Sequence, residues 1–172
     1  MPEQMPQLNS IPQNRKPSVL NPLDYLRKVR DDRFRRQRDE LRSYLEVALP
    51  LAEEVDRLYS NWRETVEVSE PITDCQKAAN VSAIYWWQIT ERLREFRKCV
   101  PPKAAERYHA LFLDALANAS AGTEILKNGF RFNKFSEVSR GIGYLDGYLE
   151  AMSRAQDEMG RLLRKFRFID DE

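Results

Sequence analysis

Histidine and acidic side chains at helical spacing are the first candidates for metal chemistry in this chain. The only histidine, His109, follows Glu106 by three residues, and this spacing places both side chains on one face of a helix. Helical di-iron proteins use two such Glu-x-x-His motifs together with two further carboxylates. Because the chain has one motif and no second histidine, we predict no metal site, and we interpret His109 as a histidine held by Glu106 or by solvent.

The two cysteines, Cys75 and Cys99, are the candidates for thiol chemistry. Cys75 falls in the first turn of a predicted helix, where the helix dipole favours a thiolate, but the neighbouring Asp74 acts in the opposite direction. No second feature pairs Cys75 with His109 as a base, and the spacing of these residues fits no zinc motif. We therefore expect no enzymatic activity and no cofactor.

Charged residues are segregated along the chain, although the net charge is only +1. Residues 27–38 hold seven basic and two acidic residues, residues 161–168 hold four basic residues, and residues 53–74 hold seven acidic and two basic residues. The near-neutral total excludes a generally basic surface for nucleic acid, so such binding would need a local patch. Three interpretations stay open: a solvated helix surface, a contact to phosphates, and a contact to an acidic protein partner.

Arginine and tryptophan dominate the energetic centres of protein interfaces. We therefore predict the partner contacts among the arginines and tryptophans of the chain. Adjacent tryptophans point about 100° apart on a helix, so one can lie between helices while the other lies at an interface. Core packing is the default interpretation of these tryptophans, and a partner-binding surface is the alternative. The predicted partner-binding residues are Arg33, Arg35, Arg36, Trp86 and Trp87. The possible phosphate-binding residues are Arg161, Arg164, Lys165 and Arg167.

Small residues recur every four positions on the last predicted helix. Each helical glycine costs about 1 kcal/mol relative to alanine, so a compensating contact is expected. We predict close packing of the last two helices, and a glycine-lined groove for a ligand is the alternative. The predicted helix-packing residues are Gly143, Gly147, Ala151, Ala115 and Ala119.

Apolar periodicity predicts helices throughout and no strand. A seam with alternating steps of three and four residues runs from Phe34 to Thr65, and it keeps its phase across Pro50, which favours one kinked helix over two. A second such seam includes Ile142 and Leu149. With breaks after residues 68, 99 and 129, the pattern predicts an all-α fold, an antiparallel four-helix bundle with long, coiled-coil-like first and fourth helices.

Composition divides the chain into three predicted parts. Residues 1–20, which are rich in proline and poor in apolar residues, predict a flexible N-terminal tail. Residues 21–169 predict a single helical-bundle domain, and residues 170–172 an acidic C-terminal tail. No apolar run reaches the ~20 residues of a membrane-spanning helix, and no apolar core of a secretory signal is present. We expect a cytoplasmic protein with reduced thiols.

The function that these features favour is a non-enzymatic helical interaction or scaffold protein. It would be a subunit or adaptor in a protein complex and would form a homo-oligomer, because a 20.3 kDa chain rarely covers so long a first helix alone. Oppositely charged blocks can also drive self-association. Two alternatives stay open. One is a nucleic-acid-associated helical protein that binds phosphates through residues 27–38 and 161–168. The other is a small-ligand or metal-binding helical bundle.

Overall fold

The computed structural model describes residues 22–67 and 74–169, and these residues are almost entirely α-helical. Four helices are present, and no strand occurs in the described ranges, so the prediction of an all-α chain with four helices is confirmed. The first and fourth helices are the longest, with 46 and 31 residues against 22 and 26 for the other two. The elements are α1 (Pro22–Glu67), α2 (Cys75–Phe96), a 3-10 turn (Lys103–Ala105), α3 (Glu106–Arg131) and α4 (Phe135–Lys165).

The chain divides into two compact units, of which the first ends at Arg35 and the second begins at Arg36. The described part of the first unit is the beginning of α1, and the second unit contains the rest of α1 with α2, α3 and α4. The predicted tails, residues 1–20 and residues 170–172, lie outside the described residues. The single domain over residues 21–169 stays a prediction.

α1 continues as one helix through Pro50. Proline lacks the N–H that would bond to the carbonyl of Glu46, but Pro50 is exposed, so water can satisfy that carbonyl. The side chains of Ala48 and Val55, on either side of the proline, are both fully buried. The apolar face of α1 therefore keeps its orientation across the proline, as the unbroken seam predicted.

Large aromatic rings fill the core of the second unit. Phe96 of α2 and Phe112 of α3 are fully buried, and their rings meet edge-on with centroids 4.8 Å apart. Tyr44 of α1 lies against Phe96 with a centroid distance of 6.4 Å. This cluster joins three helices, because each contributes a ring that is shielded from water.

Two polar contacts join α1 to α2 further along. The indole Nε1 of Trp62 donates a buried hydrogen bond to Oγ of Ser82 over 3.1 Å. Nη2 of Arg92 donates to Oε1 of Glu54 over 2.9 Å. Both contacts involve the part of α1 that follows Pro50.

α3 and α4 approach each other where glycine takes the place of a side chain. A Cβ atom on Gly141 would lie 2.6 Å from Cγ of Leu126 and 2.9 Å from the carbonyl oxygen of Gly122. A Cβ on Gly122 would lie 2.9 Å from Cβ of Tyr144. These separations are shorter than van der Waals contact, so this approach requires glycine on both helices.

The predicted packing stripe takes part in this interface only in places. Ala115, Ala119 and Ala151 are buried, and a Cβ placed on Gly147 would lie 3.6 Å from an asparagine side chain of α3. Gly143 is exposed, and a Cβ placed there would have no atom within 4 Å. Two residues correspond to about 200° of rotation around a helix. Gly141 therefore faces α3, whereas Gly143 faces away from it.

The turn between α3 and α4 begins later than the predicted break after residue 129. Gly129 lies inside α3, where a Cβ would be 2.9 Å from Cγ2 of Val138, so this glycine serves helix packing. Asn133 takes the left-handed conformation with φ of 50°. The N–H of Lys134 then donates to the carbonyl of Gly129 over 2.8 Å. This arrangement is a Schellman cap, which ends α3 at Arg131.

We predict opposite effects for alanine at the two neighbouring glycines of α4. Gly141→Ala should lower the free energy of unfolding by about 1–3 kcal/mol, because the added methyl overlaps Leu126 and the α3 backbone. Gly143→Ala should raise it by up to about 1 kcal/mol, because the methyl meets open space and alanine favours the helix. Urea unfolding of both variants checks this expectation, and a stable Gly141→Ala variant would contradict the close approach.

Candidate interaction site

The two adjacent tryptophans of α2 lie in different surroundings. Trp86 is partly buried, and Nζ of Lys127 on α3 lies 3.3 Å from the centroid of its ring system, a cation–π contact. Trp87 is 61% exposed, and Ile84 is exposed to the same extent three residues earlier. Residues at this spacing are neighbours on a helix surface, so Ile84 and Trp87 form an exposed apolar pair.

A small groove lies beside this pair, between α1 and α2. Its volume is about 200 Å³, which is below the ~300 Å³ of small-molecule pockets. The groove therefore suits one inserted side chain better than a whole ligand. We call the groove together with Trp87 the α2 surface. The groove is lined by Leu58, Asn61, Trp62, Thr65, Val81, Ile84, Tyr85 and Gln88.

The predicted arginine contacts are exposed. In the first compact unit Arg33 and Arg35 are exposed, and in the second unit Arg36 is exposed. Arg38 behaves differently within the second unit, because its Nη2 donates to the carbonyl of Arg167 over 3.1 Å. The end of the first basic block thus meets the end of the second.

Phe168 extends this contact between the two blocks. The guanidinium carbon of Arg38 lies 5.1 Å from the centroid of the Phe168 ring, and that of Arg42 lies 5.7 Å from it. Both distances are within the range of cation–π attraction. Two cationic side chains of α1 are therefore held by an aromatic ring.

Within the second basic block, Arg161 is paired with a buried carboxylate. Nε and Nη2 of Arg161 donate to the two carboxylate oxygens of Glu158 over 2.9 and 2.5 Å. Glu158 is only 5% exposed, and the hydrogen bonds from Arg161 lower the pKa of its carboxyl group. Phosphate binding by Arg161 would have to break this bidentate pair. Arg161 is therefore a poor candidate for a phosphate ligand.

The other basic residues of this block differ in their structural roles. Arg164 and Lys165 are exposed. Arg167 has a φ of 56°, and the N–H of Phe168 donates to the carbonyl of Leu163 over 2.9 Å. The backbone of Arg167 therefore occupies the left-handed position of a second Schellman cap, at the end of α4.

His109 is held inside the core. Its Nδ1 atom lies 3.0 Å from the hydroxyl oxygen of Tyr44, and its ring stacks on Phe96 with a centroid distance of 4.4 Å. The residue is 8% exposed, and burial lowers the pKa of its imidazole. Tyr44, and not Glu106 or solvent, is therefore the partner of this histidine.

The two cysteines lie near opposite ends of α2. Cys75 is its first residue, whereas Cys99 follows its last residue by three positions, so the second cysteine is not part of the helix. Both are partly buried and form no disulfide. Among the described residues no group of three or more His, Cys, Asp or Glu side chains could hold a metal ion.

Sequence reasoning missed a chain of aromatic rings across the core, which we call the aromatic chain. Tyr148 of α4 packs on Tyr59 of α1 at 4.9 Å between centroids. Tyr59 lies 6.0 Å from Trp62, and Trp62 stacks on Tyr85 of α2 at 5.7 Å. The apolar seam of α4 predicted Leu149 as a core residue. Leu149 is 42% exposed, whereas its neighbour Tyr148 is fully buried.

Comparison with known proteins assigns no family to the chain. No family model, no curated protein and no solved structure matches it. Within residues 22–67 and 74–169, none of the helices combines the length and apolar character needed to cross a bilayer. The functional argument therefore depends on the surfaces described above.

We predict that Arg167→Gly stabilises the protein. A left-handed conformation costs a residue with a side chain roughly 1 kcal/mol more than glycine, and the variant keeps the carbonyl that accepts from Arg38. The free energy of unfolding should rise by about 0.5–1 kcal/mol, as measured by urea unfolding. Arg164→Gly, which lies inside the helix, is the control and should lower the free energy of unfolding. A lower free energy of unfolding for Arg167→Gly would contradict the cap.

We predict that His109 makes stability depend on pH. Because burial lowers its pKa from the ordinary 6.5, the unfolded chain takes up the proton first as the pH falls, and the free energy of unfolding decreases below that value. His109→Gln should remove this part of the pH dependence. Urea unfolding at about pH 7.5 and about pH 5.5 tests it. Equal pH dependence in the variant and the parent protein would rule out the assignment.

Proposed function

We propose that the chain is a non-enzymatic helical interaction protein, a subunit or adaptor in a protein complex that also self-associates. The α2 surface carries this proposal. Ile84 and Trp87 are each 61% exposed and lie three residues apart on α2, and Ile84 is also one of the residues that line the groove. Tryptophan next to a groove that accepts one side chain is typical of the energetic centre of an interface.

The proposed architecture is an antiparallel four-helix bundle in which the long α1 and α4 pack as in a coiled coil. Contacts between α3 and α4 support it: Gly129 approaches Val138, whereas Arg107, near the start of α3, lies 3.9 Å from Glu158 in the last third of α4. The contacts between α1 and α2 follow the same opposed order. Such packing leaves the outer face of α2 for a partner.

The chemistry of the α2 surface indicates what the partner presents. The groove walls carry no charged side chain, so an inserted apolar side chain meets no desolvated charge. Trp87 can then pack over the partner while its indole N–H stays near the rim. There the N–H can donate a hydrogen bond to water or to a carbonyl of the partner. We propose a helix or loop with one protruding apolar residue as the ligand of this surface.

Self-association is proposed through the charged blocks of α1. Arg33, Arg35 and Arg36 are exposed, and so are Glu53 and Asp56 further along the helix. Opposite charges on two copies attract when the copies are aligned so that one block faces the other. This attraction is screened by salt, so a homo-oligomer held in this way weakens as ionic strength rises.

Nucleic-acid binding is the second candidate function. The exposure of Arg33, Arg35 and Arg36 favours it, since exposed guanidinium groups can contact phosphates. The bidentate pair of Arg161 with Glu158 weighs against the second basic block as a phosphate site. The partner and the location of the protein in the cell stay predictions.

We predict that Trp87→Ala weakens binding of the protein partner at least tenfold. A hot-spot tryptophan contributes about 2 kcal/mol or more, and its removal from an exposed position should leave the fold intact. Phe135→Ala is the matched control, because Phe135 is an even more exposed aromatic, 72%, on α4. The measurement is capture from native lysate by the tagged full chain with each variant, followed by titration of the identified partner.

Nuclease treatment and charge reversal separate the candidate functions. Capture that survives nuclease and is lost in Trp87→Ala but not in Phe135→Ala supports the interaction protein. Material that disappears with nuclease, and in a variant with Arg33, Arg35 and Arg36 changed to Glu, supports nucleic-acid binding. Equal loss in both aromatic variants would contradict the α2 surface as the binding site.

A further inference from the structure

The beginning of α1 exposes a stripe of apolar side chains within the first compact unit. Leu23 and Leu26 are 63% and 61% exposed, and Tyr25 and Val29 are exposed as well. Residues three or four positions apart are neighbours on a helix surface, so these four side chains form one stripe. A contiguous apolar surface of this kind marks a contact with a protein or a membrane.

Positively charged side chains share this stripe, and two carboxylates lie on the other side of the helix. Arg30 follows Leu26 by four positions and Arg33 follows Val29 by four, so both arginines belong to the same face. Four positions about 200° around the helix carry charged residues only, and these are Lys28, Asp31, Asp32 and Arg35. We call the stripe with its two arginines the basic apolar face, which consists of Leu23, Tyr25, Leu26, Val29, Arg30 and Arg33.

The two arginines of this face are accessible to an external anion. Arg33 is exposed. Nε of Arg30 lies 3.9 Å from Oδ1 of Asp31, and the side chains of both residues are largely exposed. An exposed ion pair at this distance contributes little, so Arg30 can exchange the carboxylate of Asp31 for another anion at small cost.

An anionic membrane surface matches the charge and the apolar character of this face together. Along a helix that lies in the plane of the interface, acidic headgroups are present at every position, and the acyl region lies directly beneath them. Arginine can lay its apolar stem along such a surface while its guanidinium group stays at the level of the headgroups. Arg30 and Arg33 can therefore stand between Leu26 and Val29 without being buried.

Two other anionic partners fit the basic apolar face less well. Nucleic acid offers phosphates to the arginines, but its charged backbone would lie against the four apolar side chains. A protein groove that covers the apolar stripe would also enclose the guanidinium groups of Arg30 and Arg33. Each enclosed cation would then need a carboxylate at a fixed position, whereas a membrane supplies anions along the whole helix.

We propose that the beginning of α1 lies on an anionic membrane surface through the basic apolar face. Residues 22–35 of this helix span roughly 21 Å, and this length lies along the membrane rather than across it. Asp31 and Asp32 then face water, away from the acidic headgroups. The inference goes beyond the proposed function, because the α2 surface takes no part in it. A protein partner held by the α2 surface would thereby be brought to a membrane.

Co-sedimentation of the full chain with lipid vesicles tests the proposal. Vesicles of phosphatidylcholine mixed with phosphatidylserine should bind the protein, and binding should weaken as the salt concentration rises, because salt screens the attraction. Vesicles of phosphatidylcholine alone should bind it at least about tenfold more weakly. Failure to bind either kind of vesicle, or equal binding to both, would overturn the proposal.

Two variants with the same loss of charge show whether one face makes the contact. Arg30→Gln with Arg33→Gln removes two positive charges from the basic apolar face, and Lys28→Gln with Arg35→Gln removes two from the opposite face. Each basic residue at an anionic surface contributes about fivefold in affinity, so the first variant should bind the anionic vesicles at least about tenfold more weakly. The second should lose no more than about threefold, because its side chains point away from the membrane. Equal losses in the two variants would overturn the assignment of the face.

A third variant tests the apolar part of the contact. Leu26→Gln with Val29→Gln should weaken binding to the anionic vesicles at least about tenfold, because two apolar side chains no longer enter the acyl region. Both positions are exposed, so the Tm should stay that of the parent protein. Phe135→Gln, at an exposed position of α4, is the control and should bind as the parent does. Unchanged binding of the Leu26 and Val29 variant would contradict a membrane contact through this face.

Two further measurements separate the membrane contact from the other partners. Trp87→Ala should bind the anionic vesicles as the parent does, so the outcome does not depend on the α2 surface. Duplex DNA and duplex RNA are offered to the parent protein in the same buffer. Tighter binding to either nucleic acid than to the anionic vesicles, lost in the Arg30 and Arg33 variant, would overturn the membrane proposal in favour of a nucleic-acid contact.

Discussion

The backbone approach of α3 and α4 at Gly122 and Gly141 is the constraint on which the rest of the second unit depends. A Cβ at either position would overlap the facing helix, so α4 can take only one rotation about its axis. That rotation directs Val138, Leu145 and Tyr148 into the core. It also leaves Ile142 and Tyr144 exposed to solvent. The loss of helix propensity at the two glycines is offset by the backbone contact that they allow.

Several polar side chains inside the core have polar partners, and two of these partners come from another helix. The indole of Trp62 has Ser82 as its acceptor, and His109 has Tyr44 at its Nδ1 atom. Glu158 is neutralised by Arg161 one turn later on its own helix. Each of these groups would be costly to bury alone. The packing of α1 against α2 and α3 is therefore specified by hydrogen bonds as well as by apolar area.

The sequence pattern predicted the helices well and their orientation less well. On α4 the three-and-four rhythm fits two adjacent phases, because Ile142 and Leu149 are as apolar as the residues beside them. Those two are 49% and 42% exposed, since the phase is decided by the glycine contact with α3. Composition likewise could not show that Arg161 is held by Glu158, because that pairing depends on which face of α4 is buried.

The three tryptophans have three different surroundings, and this gives the protein a set of internal spectroscopic reporters. Trp62 is 7% exposed and hydrogen-bonded, so its emission should be shifted to the blue. Trp86 lies under the ammonium group of Lys127, and the nearby charge shifts the excited state of the indole. Trp87 is in water and should emit furthest to the red. Fluorescence can therefore follow the core, the α2–α3 contact and the outer surface of α2 separately without any added label.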